Sequence, residues 1–353
     1  MTILDLFAGA GGATLGLSRC GFRHVACVER DARACATLRA AGWPCVRMDV
    51  RDYQPDAADV WWASPPCQPF SQAGLREGCV DSRNGFPWLF GALDRGPAPT
   101  WLFVEQVRGL LQHRGSAFCY KGKRPEPEEC PGCYFLQVIL PELRTRFAHV
   151  DHQVLDAADY GVPQHRRRVI VVCGPEPYRW PAPTHGDGLQ PYVTMRDALE
   201  IPPCGVNPAQ ASGNAGSLVR PDWWHRASHP DGPSRTIGTK ANASITLDRP
   251  SPTITATEEK GGGVMRRRPD DDRIRGPNRA SDVLLATTGR RRLTIEECAL
   301  LQGFPADYPW QGNKSQRYAL VGNAVPPRMA EVLGNALVGN GCTQDDQLRF
   351  GGM

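Results

Sequence analysis

The sequence predicts an α/β fold, built as a doubly wound and mostly parallel sheet, with a second, smaller, β-rich domain inserted late in the chain. Three observations carry this expectation. Up to about residue 174, short apolar or β-branched runs alternate with helix-like stretches, which is the pattern of successive βα units. The first run feeds directly into Phe7-Ala8-Gly9-Ala10-Gly11-Gly12, a glycine turn of the kind that opens a crossover helix. From about 175 to 290 the texture changes to Pro, Gly, Thr and Arg, with little helical periodicity.

Taken in order, Ile3-Leu4-Asp5-Leu6-Phe7, Val25-Ala26-Cys27-Val28, Cys45-Val46-Arg47-Met48, Val60-Trp61-Trp62 and Leu102-Phe103-Val104 read as strands, and Val169-Ile170-Val171-Val172 as a further buried one. In the middle, Thr194-Met195-Arg196-Asp197-Ala198-Leu199 reads as a short helix. The segment Pro233-Ser234-Arg235-Thr236-Ile237 is echoed by Pro250-Ser251-Pro252-Thr253-Ile254, two Thr/Ile strands rather than a solenoid, with Gly261-Gly262-Gly263 as a loop beside them. After Leu293, Thr294 with Glu297 forms a capping box, and another helix starts near Pro327. The expected organisation is therefore a cofactor and catalytic domain at 1–174 completed by 306–342, a recognition domain at 175–290, a hinge at 291–305 and a frayed tail at 343–353.

The 353 residues suffice for a full core and two domains, and the net charge is only +4. Its distribution is more telling, because Arg266-Arg267-Arg268, Arg273, Arg275, Arg279 and Arg290-Arg291-Arg292 crowd one region, which suits a polyanion. A solvated basic loop balanced by Asp270-Asp271-Asp272 is the plainer alternative. Thirteen scattered cysteines without an apolar leader argue against a disulfide framework and for a reducing cytoplasm. No apolar run approaches the roughly 18 residues that span a bilayer, so no membrane role is expected.

The glycine turn is not a dinucleotide fingerprint, because position 14, where a third glycine is required, is Thr14. Phosphate-loop chemistry is absent too, as no Lys-Ser/Thr pair follows. Glu29, at the end of the second strand, is placed for ribose hydroxyls, and Asp49, after the third, for an adenine amino group. A glycine turn with two strand-end acids fits an adenosine-bearing ligand without phosphates, such as S-adenosylmethionine. Downstream, Ser64-Pro65-Pro66-Cys67-Gln68-Pro69-Phe70-Ser71 sets one thiol between prolines after a buried strand, and Gln164-His165-Arg166-Arg167-Arg168 alternates a carboxamide with guanidinium groups. These suggest a nucleophile and an anion clamp.

In order along the chain, these segments resemble the motifs of the DNA cytosine methyltransferases that modify carbon 5. Asp5 through Gly12 resembles the opening cofactor motif, Pro66-Cys67-Gln68 the nucleophile motif, Glu105-Gln106-Val107 the family's Glu-Asn-Val, and Gln164-x-Arg166-x-Arg168 its Gln-x-Arg-x-Arg. Arg292-Leu293-Thr294 through Gln302-Gly303-Phe304-Pro305 and Gly322-Asn323-Ala324-Val325-Pro326-Pro327 resemble the last two. The resemblance implies a Rossmann-like sheet of the S-adenosylmethionine-dependent methyltransferase type, double-stranded DNA as substrate, and a bacterial or phage-type enzyme without a regulatory domain. Gln106 departs from the family's Asn, which keeps the carboxamide but lengthens it.

What the resemblance implies for individual residues is as follows. The Cys67 thiolate adds to carbon 6 of a flipped cytosine, making carbon 5 nucleophilic. Glu105 hydrogen-bonds ring nitrogen 3 and the exocyclic amine. Arg166 faces the base carbonyl and the nucleophile, while Arg168 supports the loop or a phosphate. The cofactor set comprises Asp5, Phe7, Ala8, Gly9, Gly11, Gly12, Glu29, Arg30, Asp49, Val50, Pro66, Asn323, Ala324 and Val325, with Phe7 flanking the adenine. Gln68, Ser71, Gln72, Arg83, Arg235, Arg266 and Arg292 are expected on DNA, the loop from Ser71 to about Gly85 closing over the target nucleotide. Trp223-Trp224 is read as a packing anchor. Between Glu105 and Arg166, His113, Cys119, Cys130 and Cys133 could bind one structural zinc, with loop thiols as the alternative. Expected partners are duplex DNA and a separately acting restriction endonuclease, and the expected state is a monomer. Alternatives kept open are methylation of cytosine in transfer RNA and a noncatalytic DNA-binding repressor on the same fold.

Overall fold

The computed structural model describes residues 1–66, 70, 83–112, 130–199, 250–251 and 293–339. Its centre is a seven-stranded sheet of order β3-β2-β1-β4-β5-β7-β6. The strands are β1 Thr2–Leu6, β2 Arg23–Glu29, β3 Cys45–Arg47, β4 Val60–Ala63, β5 Trp101–Val107, β6 His149–Asp156 and β7 Arg167–Gly174. The pairings β1 with β2 and β4, β2 with β3, and β4 with β5 are all parallel, whereas β7 runs antiparallel to both β5 and β6. Every strand read from the first 174 residues is present. The addition is β6, whose polar alternation His149-Val150-Asp151-His152-Gln153 hides a strand at the sheet edge.

Because β1 is flanked by β2 on one side and β4 on the other, strand order reverses between β1 and β4, and the crevice beyond their carboxyl ends is where such sheets take ligands. Both faces are covered. One face packs Leu4, Leu6, Val28, Trp61, Leu102, Val104 and Val171 against Phe86 and Leu89 of α3 (Phe86–Arg95). The other packs Ile3, Val60, Trp62, Phe103 and Val172 against Leu17 of α1 (Gly12–Arg19), with Met329, Ala330 and Leu333 behind.

Beyond α2 (Ala32–Ala40), whose N-cap Asp31 accepts from the Arg33 and Ala34 amides, the helical turns α4 (Pro131–Tyr134) and α5 (Leu140–Arg144) are joined by a π-helical stretch at Phe135–Ile139. The short helix α6 (Met195–Ala198) and α7 (Ile295–Leu301) each carry a reciprocal capping box, Thr194 with Asp197 and Thr294 with Glu297, as the Thr-x-x-acid spacing predicts. A third box, Asn313 with Gln316, starts α8 (Lys314–Asn323), which the sequence reading did not anticipate. The last described helix, α9 (Pro327–Val338), starts at the predicted proline.

Helices α1 and α9 meet backbone to backbone. A Cβ on Gly12 would stand 2.0 Å from the Val325 carbonyl oxygen, and one on Gly16 would stand 2.0 Å from that of Pro327. The Gly12-x-x-x-Gly16 spacing puts both on one helix face, and Arg19 with Arg328 closes the contact on Glu331. Packing also continues past 174, where the sequence suggested a boundary: Tyr178 sits in the core and donates to the Leu333 carbonyl, and Met195 joins α7 and α8 in a third cluster. The first Thr/Ile segment, the part of the second beyond Ser251, Trp223-Trp224, the glycine run and the tail from 340 lie outside the described residues.

Candidate active site

The carboxyl ends of β1, β2 and β3 gather the residues expected around a cofactor. Phe7 follows β1 at φ 59°, the sole non-glycine among the described residues in the left-handed region. That conformation costs a non-glycine residue about 1–2 kcal/mol and marks a turn held by its surroundings. Gly9 follows at φ 54°, and its amide donates to Glu29 Oε2 at 2.9 Å. The other Glu29 oxygen accepts from the Arg30 and Asp31 amides. Three backbone donors thus fix the carboxylate, and it retains lone pairs for further donors. A Cβ on Gly9 would meet nothing within 4 Å, so the turn opens onto free space beside Glu29.

Asp5 is fully buried and accepts from the Thr14 hydroxyl at 2.6 Å. Burial outweighs that bond and pushes its carboxyl up to about 7. Asp5 therefore braces the turn from beneath, tying it to α1, and Thr14, which broke the dinucleotide pattern, is its partner. Asp49 is gripped by Arg51 through Nε at 3.0 Å and Nη2 at 2.9 Å, with Arg30 at 3.4 Å. The Arg51 guanidinium is the main reason its carboxyl is pulled down to about 2. Sequence reasoning missed Trp88, whose ring stacks on Phe7 at 6.5 Å and lies under the guanidinium groups of Arg51 at 4.7 Å and Arg30 at 5.6 Å. An isolated Trp in the first turn of α3 carries no motif. Ala8 and Val50 adjoin this cluster in the chain, Val50 buried, and Gly11, at φ 88°, approaches Leu38 and Tyr308 too closely to admit a Cβ.

At the ends of β4, β5 and β7 stands the second group. Gln106 is buried, and its amide donates to the Pro65 carbonyl at 2.6 Å while its oxygen accepts from the Val107 amide at 3.1 Å. The extra methylene relative to Asn is thus used to reach the Pro65-Pro66 segment, which Gly85 abuts from the other side. Cys67 and Gln68 follow this segment and, with Ser71 and Gln72, lie outside the described residues.

Glu105 is almost fully buried and pairs with Arg168, Nε to Oε1, at 2.6 Å. Arg168 also donates to the Arg167 carbonyl. Arg166 is 1 % exposed, and its Nη2 donates to the carbonyls of Gly322 and Ala324, both at 2.9 Å. The two arginines differ in their contacts within the chain. Arg168 accompanies the acid, while Arg166 anchors the Gly322-Asn323-Ala324-Val325 segment, assisted by Gln302, which donates to Val321 and Ala324. The reason is register: Arg168 lies opposite Val107, within reach of Glu105, and Arg166 precedes the strand and turns toward α8. On the opposite side, His165 Nδ1 and Arg167 Nε both donate to Asp156 at 3.1 Å. Burial alone would raise the Asp156 carboxyl, but His165, the Arg166 amide and Arg167 together hold it below its usual range.

Of the residues expected on DNA, Arg83 is half-buried at the turn before α3, and Arg235, Arg266 and Arg292 lie outside the described residues. The same holds for His113 and Cys119. Cys130 and Cys133 are buried at the start of α4, and no group of three or more metal-binding side chains occurs among the described residues. No helix among them is long and apolar enough to cross a membrane.

Residues 1–339 match the family model described as C-5 cytosine-specific DNA methylase. Among similar proteins are the Type II methyltransferase M.AplI of Arthrospira platensis, 30% identical over 340 residues covering 96% of this chain and 85% of that protein, and M.NgoMIV of Neisseria gonorrhoeae, 30% identical over 354 residues covering 96% and 97%. Solved structures with the same fold include the Entamoeba histolytica methyltransferase EhMeth, with a TM-score of 0.59 at 14% identity, covering 96% of this chain and 98% of that one. A putative DNA modification methyltransferase encoded within a prophage of E. coli gives 0.57 at 20% identity, covering 96% and 99%.

Proposed function

Because the chain belongs to the C-5 cytosine-specific DNA methylase family, we propose that Cys67, Glu105 and Arg168 perform the chemistry, and that Asp5 through Gly12, Glu29, Asp49 and Trp88 frame the cofactor site. The reaction is transfer of a methyl group from S-adenosylmethionine to carbon 5 of cytosine in double-stranded DNA. The observation that carries the assignment is the Glu105 to Arg168 pair at 2.6 Å, at the sheet edge one peptide away from the Gln106 bond to Pro65.

The residues fit the cofactor. Gly9 leaves space beside Glu29, whose remaining lone pairs suit ribose hydroxyls, and the faces of Phe7 and Trp88 suit a purine. The cofactor supplies an electrophilic methyl on its sulfonium sulfur. The protein's own part begins with the Cys67 thiolate, which adds to carbon 6 of the extrahelical cytosine and makes carbon 5 nucleophilic. Glu105 hydrogen-bonds ring nitrogen 3 and the exocyclic amine, stabilising the charge that addition places on the ring. Arg168 fixes the orientation of Glu105 and carries a positive charge at the same edge. Arg166 and Gln302 hold the Asn323 segment, so they act on the cofactor side through the backbone.

Specificity for one short duplex sequence is assigned to the middle segment, with a separately acting endonuclease as functional partner, a monomeric state and a bacterial cytoplasmic setting. Its arginine-rich composition supports the DNA-facing part of this reading. A duplex containing 5-fluorocytosine at the target tests the chemistry, because fluorine on carbon 5 blocks resolution of the adduct. Wild type with S-adenosylmethionine is expected to give a species stable to denaturation, and Cys67→Ala none. A stable adduct with Cys67→Ala would refute the assignment of the nucleophile.

A further inference from the structure

Three aromatic rings from one short stretch of chain pack against the cofactor turn. Phe304, Tyr308 and Trp310 meet one another with centroid separations of 4.9, 4.8 and 4.9 Å. The stretch joins α7 to α8, and it reaches across to the first forty residues at two points. Tyr308 is buried, and its hydroxyl donates to the carbonyl of buried Ala10 at 2.5 Å. Three residues later the Gln311 amide donates to Thr37 Oγ1, on α2, at 3.0 Å.

Both contacts fall on the groups that place Glu29. Ala10 lies between Gly9, whose amide donates to Glu29 Oε2, and Gly11, whose amide donates to the Ala8 carbonyl. α2 starts from the Asp31 cap, and the Asp31 amide donates to the other Glu29 oxygen. The 304–311 stretch thus grips the turn at Ala10 and the helix at Thr37, the two sides of the Gly9 to Glu29 contact. Gly11 shows how close the approach is, since a Cβ there would stand 2.8 Å from Tyr308 Oη and 2.8 Å from Leu38 Cδ2. Phe7 at positive φ belongs to the same turn, and such a conformation persists only where the surroundings over-determine it. Ring packing supplies attraction without direction, whereas a phenol hydroxyl aimed at one carbonyl fixes where that peptide lies.

We propose that Tyr308 is a positioning residue for methyl transfer: its hydroxyl, acting through the Ala10 carbonyl, holds the glycine turn against Glu29 in the shape that receives S-adenosylmethionine. Tyr308 works through the backbone and not on the reacting atoms. Its loss leaves a turn that must be ordered when the cofactor binds, so the effect falls on cofactor affinity rather than on the chemical step. The inference rests on the cofactor reading above.

The test compares the full chain as wild type, Tyr308→Phe and Tyr318→Phe. Tyr308→Phe keeps the ring and removes only the donor. Tyr318→Phe removes a bond of the same kind, to the Leu293 carbonyl at 2.5 Å, within the same apolar cluster but away from the turn. Both variants are expected to lower Tm. Only Tyr308→Phe is expected to raise the Kd of S-adenosylhomocysteine, by about five- to tenfold. Its KM for S-adenosylmethionine should rise similarly, with kcat at saturating cofactor within about twofold of wild type. Hydrogen exchange reads the same coupling without a variant: S-adenosylhomocysteine added to wild type is expected to slow amide exchange in 304–310 as well as in 8–12. An unchanged Kd in Tyr308→Phe overturns the proposal, and so does an equal rise in Tyr318→Phe, a fall in kcat with KM unchanged, or cofactor protection confined to 8–12. Should Tyr308→Phe fail to fold, the exchange measurement decides alone. A wild type that binds no S-adenosylhomocysteine overturns the cofactor reading beneath, whereas tight binding shared equally by wild type and Tyr308→Phe overturns this inference only.

Discussion

Four side chains separate roles that motif reading merges. Arg168→Lys loses the Nε bond to Glu105, because an ammonium cannot reproduce the guanidinium geometry. Turnover is expected to fall by about 10²-fold with S-adenosylhomocysteine affinity unchanged, read by steady-state kinetics and calorimetry. Arg166→Met leaves the Gly322 and Ala324 carbonyls short of a buried donor, so it is expected to cost about 1–3 kcal/mol in stability and to weaken cofactor affinity before it affects base contacts. Gln106→Asn restores the family residue but withdraws the donor from Pro65, so denaturant unfolding should show a loss of about 1 kcal/mol and adduct formation should slow rather than quicken. For Asp5, the folded carboxyl titrates at about 7 against roughly 3.9 in the unfolded chain. The native state thus binds the extra proton between those limits: the contribution is fully present below pH 4 and is lost as pH rises through 7. Asp5→Asn, which can still accept from Thr14, is expected to flatten that part of the stability profile, as denaturant titration from pH 4 to pH 8 would reveal. Residue identities were legible where a motif names them. Their pairing was not, because which arginine meets Glu105 depends on the β5 to β7 register, and Trp88 meets Phe7 only through the fold.

At the scale of elements, the parallel strands were legible because buried strands are written as continuous apolar runs, Val60-Trp61-Trp62 being a clear case. Capped helices were legible through Thr294 and Glu297. The strand β6 and the helix α8 were not, since an exposed edge strand and a helix of modest amphipathicity carry polar residues where the core-facing pattern is sought. The α1 to α9 contact was invisible in another way: Gly12 and Gly16 read as parts of a cofactor turn and a helix, and only the opposing Val325 and Pro327 carbonyls explain both. Gly16→Ala therefore has no room for its methyl and is expected to destabilise the fold by about 1–3 kcal/mol or more, read as a lowered Tm. Gly9→Ala meets no neighbour and bears only the positive-φ strain of about 1 kcal/mol, with its main effect on cofactor affinity. Equal Tm losses for the two would contradict this account of the helix contact.

Over the whole molecule, residues far apart in the chain converge on one sheet edge. The cofactor turn comes from the first twelve residues and is closed by α9 more than three hundred residues later, while the Glu105 edge takes its arginine from β7. The cofactor half is therefore complete only when the first turn meets the 321–338 segment, which Arg166 and Gln302 hold through the backbone of 321–324. The segment between is tied back at Ser251, and the proposal gives it the reading of DNA. The central claim is that this edge methylates cytosine at carbon 5 through Cys67, at a sequence chosen by the middle segment. Expression of wild type and Cys67→Ser in a host lacking cytosine methylation, followed by mapping of 5-methylcytosine at single-base resolution, tests it most directly. The account predicts methylation confined to one short sequence in the wild type and none in the variant. Methylation persisting in Cys67→Ser, or spread without regard to sequence, would contradict it.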